Sequence, residues 1–220
     1  CFIRWPEGGI GGGRDVTPIT AHLDLLPTLI DLCGLKAPAK VKFDGMSLRP
    51  LLTGKAKNWP ARTFFVHNQR LDIPRKNKNY QVMTDRWRLL NGRDLYDIKA
   101  DPGQRKSLAD KHPEIVQSMQ KQYEAWWTDI SRHFDVYDAT IIGSTKANPV
   151  TLYTHDWHGP QLWDQSQVCR ASQANGFWAI EVERDGKYAI ELRRWPKEVD
   201  KPITSVITGG QAIAATKARL

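Results

Sequence analysis

The chain has 220 residues, 40% of them hydrophobic and 25% charged, with a formal net charge of +8. This is enough for one large or two small globular domains, and no run approaches the ~18 apolar residues of a transmembrane helix. The basic residues are spread along the chain, with one cluster at Arg70, Arg75, Lys76 and Lys78. No RNA- or DNA-binding signature accompanies them, which argues against nucleic acid and leaves a solvated surface or an anionic polysaccharide partner.

Residues 2–5, Phe-Ile-Arg-Trp, predict a buried strand stopped by Pro6. The end, Thr216–Leu220, reads as a strand cut short, so the expectation is a piece of a longer protein. The glycine run from Gly8 to Gly13 predicts a surface loop; it is no dinucleotide fingerprint, because no helical pattern follows it. Val16–Thr20 reads as a short extended piece. Leu25, Leu26, Leu29, Ile30, Leu32 and Cys33 define a helix with a wide apolar face. Pro27 belongs in its first turn, and Gly34 suits the left-handed residue after its end. His22 and Asp24 invite a metal or catalytic reading, but at a helix start an aspartate more simply caps the chain and complements the dipole. Cys33, on the apolar face, is expected to be a buried thiol; with Cys1 and Cys169 it forms no CxxC pair. Asp44-Gly45 marks a turn, Ser47 a cap for a short helix over Leu48–Leu52, and Gly54 its end.

Residues 63–104 hold short alternating runs at Thr63–His67, Tyr80–Thr84, Trp87–Leu90 and Leu95–Ile98, rich in β-branched and aromatic residues. Asn91-Gly92 predicts a tight hairpin between the last two, and Ala100–Gly103 a closing turn. Ile115, Met119, Tyr123, Trp126, Trp127 and Ile130 then recur at helical spacing, so Lys111–His133 predicts a helix covering one face of a small antiparallel sheet. From residue 135 helical periodicity disappears. Candidate strands are Thr140–Gly143, Val150–Thr154, Trp178–Glu183 and Lys187–Arg193, the last two flanking a turn at Arg184-Asp185-Gly186. Strands so spaced suggest a partial β-sandwich.

The string TDRWRLLNGRDLYDIKADPGQ resembles the closing segment of type I sulfatases, the formylglycine-dependent sulfate ester hydrolases. HLDLLPTLIDLCGL and DGMSLRPLLTG precede it, in the order and at about the distance found in that family. The resemblance covers residues 1–134 and is looser beyond. It implies an α+β chain: residues 1–62 as the end of an alkaline-phosphatase-like α/β domain, 63–134 as the C-terminal sheet-and-helix subdomain, and 135–220 as an appended β-rich region, similar to that of some bacterial sulfatases.

The resemblance also implies chemistry that these residues lack. Such an enzyme makes its aldehyde from Cys or Ser in C/S-x-P-x-R and holds the sulfate on a calcium ion bound by Asp and Asn. No Cys or Ser here is followed by x-P-x-R, and no Asp-Asp or Asp-Asn pair occurs. In the family these groups lie upstream, in an N-terminal catalytic domain that follows a signal peptide. Neither a catalytic position nor a metal ligand is therefore assigned to this chain, and calcium and formylglycine are expected in the full-length enzyme, in the periplasm or outside the cell. The family's C-terminal subdomain leans over the active-site mouth. His67, Gln69 and Arg70, where a strand enters an irregular loop, are the candidates for contacts with a sulfated carbohydrate, Arg70 through a second sulfate. His155-Asp156-Trp157-His158 is a weaker metal candidate, and Trp157, Trp163, Trp178 and Trp195 a candidate sugar-stacking platform; the blander reading of both is packing. A stand-alone carbohydrate-binding module is the alternative.

Overall fold

The alternation in residues 63–104 becomes a four-stranded antiparallel sheet in the computed structural model, which describes residues 2–160, 162 and 164–215. Its strands, β1 (Phe64–His67), β2 (Tyr80–Met83), β3 (Trp87–Leu90) and β4 (Asp94–Asp97), lie in sequence order. Register places Phe65 opposite Val82, Val82 opposite Leu89 and Leu89 opposite Leu95. One row of apolar side chains therefore crosses the sheet on one face, and Val82, Leu89 and Leu95 in it are fully buried. A helix, Pro113–Ile130, brings Met119 and Tyr123 onto that row, with Phe65, Trp126 and Trp127 packed at its margin. The Phe65 and Trp126 rings stack at 5.0 Å. Each such side chain taken out of water contributes roughly 1.5–3 kcal/mol.

Turn chemistry sets the register. Asn91 and Gly92 both have positive φ, 49° and 69°, the mirror-image turn that matches strand twist. The Asn91 side chain accepts from the Tyr80 N–H at 3.0 Å, and Gln120 on the helix donates to the Gly92 carbonyl at 2.8 Å. Asp97, nearly buried, accepts from Arg86 and from the N–H groups of Lys99 and Ala100, which fixes the turn directly after β4, while the predicted Ala100–Gly103 turn is closed by the Gln104 N–H donating to the Asp101 carbonyl at 3.0 Å.

Ahead of the sheet lie α1 (Leu25–Leu32) and α2 (Arg49–Leu52), so the sheet-covering helix Pro113–Ile130 is α3. Here the structure corrects the expected packing. The face of α1 that is buried is polar: Asp24, just before it, and Thr28 are both inaccessible, whereas Leu25, Leu26 and Leu29 are 37%, 56% and 56% exposed. Arg62 explains this. Its guanidinium forms two hydrogen bonds with the Asp24 carboxylate, at 2.7 and 2.8 Å, and that carboxylate also accepts from the N–H groups of Ala21 and Met46. Thr28 donates to the Asp24 carbonyl and accepts from Leu48 N–H. Cys33, expected to be buried, is exposed at the helix end before Gly34, which adopts the predicted left-handed conformation. Residues 2–5 form no buried strand. Phe2 is 84% exposed, and among the described residues Trp5 pairs only with Ile10, across the turn that Pro6 and the glycines allow.

Contacts divide the chain into two compact units, Cys1–Asn68 with Asn77–Trp127, and Gln69–Lys76 with the segment from Thr128 onward. In the second unit β5 (Thr140–Ile142) pairs in parallel with β8 (Ile180–Val182), and β6 (Trp157–His158) pairs antiparallel with β7 (Phe177–Trp178); α4 is Gln165–Cys169. The expected hairpin around Asp185-Gly186 does not form. Residues 187–193 join no ladder among the described residues, and β8 takes a partner some 40 residues away instead. Val150–Thr154 is likewise not a strand; Thr154 opens a short 3-10 turn closed by Asp156. Short ladders with exposed Ile141, Ile180 and Val182 replace the expected partial sandwich. The suspected strand at Thr216–Leu220 and Cys1 lie outside the described residues.

Burial opposes ionisation of Asp24, but the Arg62 and backbone hydrogen bonds outweigh it and hold the carboxyl below its ordinary value of 3.8. A depressed carboxyl pKa adds stability above the unfolded value, which is lost as pH falls through the folded one. Asp24→Asn, which strands the nearly buried Arg62 charge, is expected to cost roughly 3–5 kcal/mol at pH 7. In urea unfolding followed by tryptophan fluorescence, the gap to wild type should narrow as pH drops below 3.8. Equal loss at every pH would mean that the charge is immaterial. Gly92→Ala should cost about 1–3 kcal/mol, from left-handed backbone strain and a clash with the Tyr80 hydroxyl; an unchanged melting temperature would refute the turn assignment.

Candidate functional site

His67 ends β1, and its ring is enclosed by aromatic neighbours. Tyr80, Tyr123, Trp126 and Trp127 surround it at centroid distances of 5.9, 5.8, 5.5 and 5.2 Å. Its Nε2 lies 3.2 Å from the Tyr123 hydroxyl, which itself accepts from the Asn77 N–H. Burial pushes the imidazole below its usual 6.5, since charging it would strip water from a cation held between apolar rings. The ring thus anchors the strand end. The α3 side chains that enclose it are the ones whose helical spacing predicts core packing.

Gln69 and Arg70 belong to the loop 69–76 in the other unit. Gln69 clasps that loop: its Oε1 accepts from Arg75 N–H and its Nε2 donates to the Arg75 carbonyl, both at 2.7 Å. A side-chain amide bridging one backbone position through both of its ends fixes loop shape much as a turn does. Arg70, next to the clasp, is exposed. In the same loop Asp72 reaches His158, with 3.2 Å between Oδ1 and Nδ1. A pair separated by 86 positions leaves no trace in local sequence pattern, and sequence reasoning misses it.

The His155–His158 run does not converge. Asp156 is spent on its own turn, accepting from Tyr153 N–H at 2.7 Å, Trp157 packs edge-to-face on Trp178 at 4.7 Å, and His158 turns to Asp72. Among the described residues no three of His, Cys, Asp and Glu come together to hold a metal ion. The tryptophan platform does not assemble either. Trp195 is 2% exposed beneath the Arg194 guanidinium, and Trp163 lies outside the described residues.

Residues 1–129 match the family described as N-sulphoglucosamine sulphohydrolase, C-terminal. Among curated relatives, arylsulfatase K of Gallus gallus is 30% identical over 124 residues, covering 51% of this chain and 23% of that protein. The Δ4,5-hexuronate-2-O-sulfatase of Bacteroides thetaiotaomicron is 36% identical over 100 residues, covering 40% of this chain and 19% of the relative. A solved structure of a 2-O GAG sulfatase is 31% identical, covering 50% of this chain and 25% of its own, with a TM-score of 0.37. The chain spans about a quarter of the length of these relatives. The family match takes in the Asp24–Arg62 anchor, the whole sheet and nearly all of α3, and the chain accordingly belongs to the N-sulphoglucosamine sulphohydrolase C-terminal family of sulfatases.

Proposed function

We propose that this chain is the C-terminal portion of a sulfatase that hydrolyses sulfate esters of a sulfated carbohydrate, with the catalytic centre supplied by a preceding domain. The family match over residues 1–129 carries the reading. The uncovered leucine face of α1 supports it, because Leu25, Leu26 and Leu29 suit a helix completed by further α/β structure. In this reading residues 1–62 end the α/β domain, 63–134 form the C-terminal subdomain, and 135–220 are an accessory region. Calcium and formylglycine do not fit the residues of this chain: there is no C/S-x-P-x-R motif, and no metal cluster among the described residues. Both belong to the catalytic part, and no step is routed through them here. A periplasmic or extracellular location follows from the substrate class.

For this chain the role is substrate positioning. Arg70 meets a sulfate on a sugar unit away from the scissile ester. Gln69 contributes by shaping the loop that presents Arg70, and His67 by anchoring the strand end that leads into it. A partly desolvated arginine–sulfate contact is worth on the order of 1.5–3 kcal/mol, so its loss should cost about tenfold to a hundredfold in kcat/KM.

The isolated chain is expected to release no sulfate from small aryl sulfates; release by pure, sequence-verified protein would overturn the reading. In the full-length enzyme, Arg70→Ala should reduce kcat/KM on a sulfated oligosaccharide by that factor and leave an aryl sulfate nearly unaffected. Arg70→Lys should restore little, because a lysine offers a point charge in place of a fork. Equal losses on both substrates would assign Arg70 to the fold, and no loss on either would make it an ordinary surface charge.

A further inference from the structure

The second unit contains a cleft of about 270 Å³ whose lining contradicts the charge of the chain. Three segments build it: Asp72, Ile73 and Pro74 of the clasped loop, His133, Phe134 and Val136 to Asp138 after α3, and His158 on β6. Its polar groups are two carboxylates, Asp72 and Asp138, and two imidazoles, His133 and His158, beside the Tyr137 phenol. No lysine or arginine lines it, in a chain of net charge +8. A sulfate or phosphate would therefore meet two carboxylates and no fixed cation there, which excludes anion binding on electrostatic grounds.

Asp72, His158 and Tyr137 are held in place. Asp72 Oδ1 lies 3.2 Å from His158 Nδ1, and Tyr137 is packed edge-to-face against His158 at 4.5 Å and Phe177 at 5.3 Å. With Nδ1 engaged by a carboxylate, His158 Nε2 is the ring nitrogen left to a ligand, and it has no partner among the described residues. Asp138 makes no hydrogen bond or ion pair among the described residues, so its acceptor capacity is unspent. The cleft thus combines unused acceptors, a rigid tyrosine and an apolar wall from Phe134 and Pro74. It is smaller than the ~300–1,000 Å³ usual for drug-sized ligands.

We infer that this cleft binds a single unsulfated sugar ring, whose hydroxyl groups donate to Asp138 and His158 while its C–H face rests on the aromatic and proline wall. Hydroxyl donors satisfy carboxylates without bringing a charge, and a ring carrying both hydroxyls and an apolar face matches the mixed lining. Six of its nine lining residues, His133 onward, lie beyond the family match, and the site binds without cleaving. It is independent of the proposed sulfatase activity.

The test titrates the 220-residue chain with N-acetylglucosamine, glucose and N-acetylglucosamine 6-sulfate, followed by NMR of the histidine ring protons and by saturation transfer to the sugar. The expected result is millimolar binding of at least one unsulfated sugar, with the His158 resonance shifting and the sulfated sugar at least tenfold weaker. Asp138→Asn, which preserves shape and an acceptor but removes the charge, should weaken binding severalfold, and Tyr137→Ala at least tenfold, with the circular dichroism spectrum unchanged for Asp138→Asn. If Tyr137→Ala fails to fold, Asp138→Asn decides. The inference is overturned if no unsulfated sugar binds, if the sulfated sugar binds tighter, or if Asp138→Asn leaves the affinity unaltered. All of these readouts are indifferent to whether a catalytic domain cleaves sulfate.

Discussion

A carboxylate removed from water must be matched, and the Asp24–Arg62 pair is where the first unit meets that demand. Asp24 has no exposed surface, and its oxygens accept two guanidinium bonds and two backbone N–H groups. Such a pair contributes little net energy compared with apolar packing, but an unmatched charge in its place is strongly penalised, so the pair acts chiefly as a geometric constraint. Three parts of the chain obey it. Ala21 and α1 are held at one end, the turn at Met46 is drawn in beside them, and Arg62 is pinned two residues before β1. Thr28 extends the constraint to Leu48, and Asp31 extends it to Ser47 and Arg49 at the start of α2. The exposed leucines of α1 follow from this, since the helix can turn only one face inward.

Downstream of Arg62 the sheet is stabilised differently, by the apolar row and the rings of α3. Within that cluster His67 is an exception with a consequence. An imidazole among four aromatic rings packs like a flat apolar group while its Nε2 meets the Tyr123 hydroxyl. It ends β1 firmly, and a firm strand end is a precondition for any loop that must hold a side chain in a set position. The Gln69 clasp meets the same need within the loop itself. Arg70 is exposed beside the clasp, and the role proposed for it gives His67 and Gln69 supporting parts.

The second unit achieves its order with polar links more than with buried area. Arg194 donates to the carbonyls of Val168 and Cys169 and covers Trp195, Trp178 donates to Tyr153, and Arg184 to Gly143. With so few regular ladders, backbone carbonyls find side-chain donors in place of neighbouring strands. The same economy leaves acceptors at Asp138 and His158 unspent beside the cleft, so this unit presents carboxylates there and cations at Arg70, Arg75 and Lys76.

Local pattern by itself determined the sheet, α3 and the turns of the first unit. Alternation, helical spacing and Asn91-Gly92 act between residues close in sequence, so their energetics can be read from short windows. The family was legible for the same reason, because its motifs are contiguous strings. Tertiary structure alone decided which face of α1 is inward, because that depends on Arg62, 38 positions from Asp24. It also decided that His67 belongs to an aromatic cluster, that Trp195 is buried, and that Asp72 meets His158. In the second unit it overrode good turn chemistry at Asp185-Gly186. A strand's hydrogen-bonding edge is indifferent to which partner satisfies it, and a parallel ladder with β5 satisfied β8 where a local hairpin was expected.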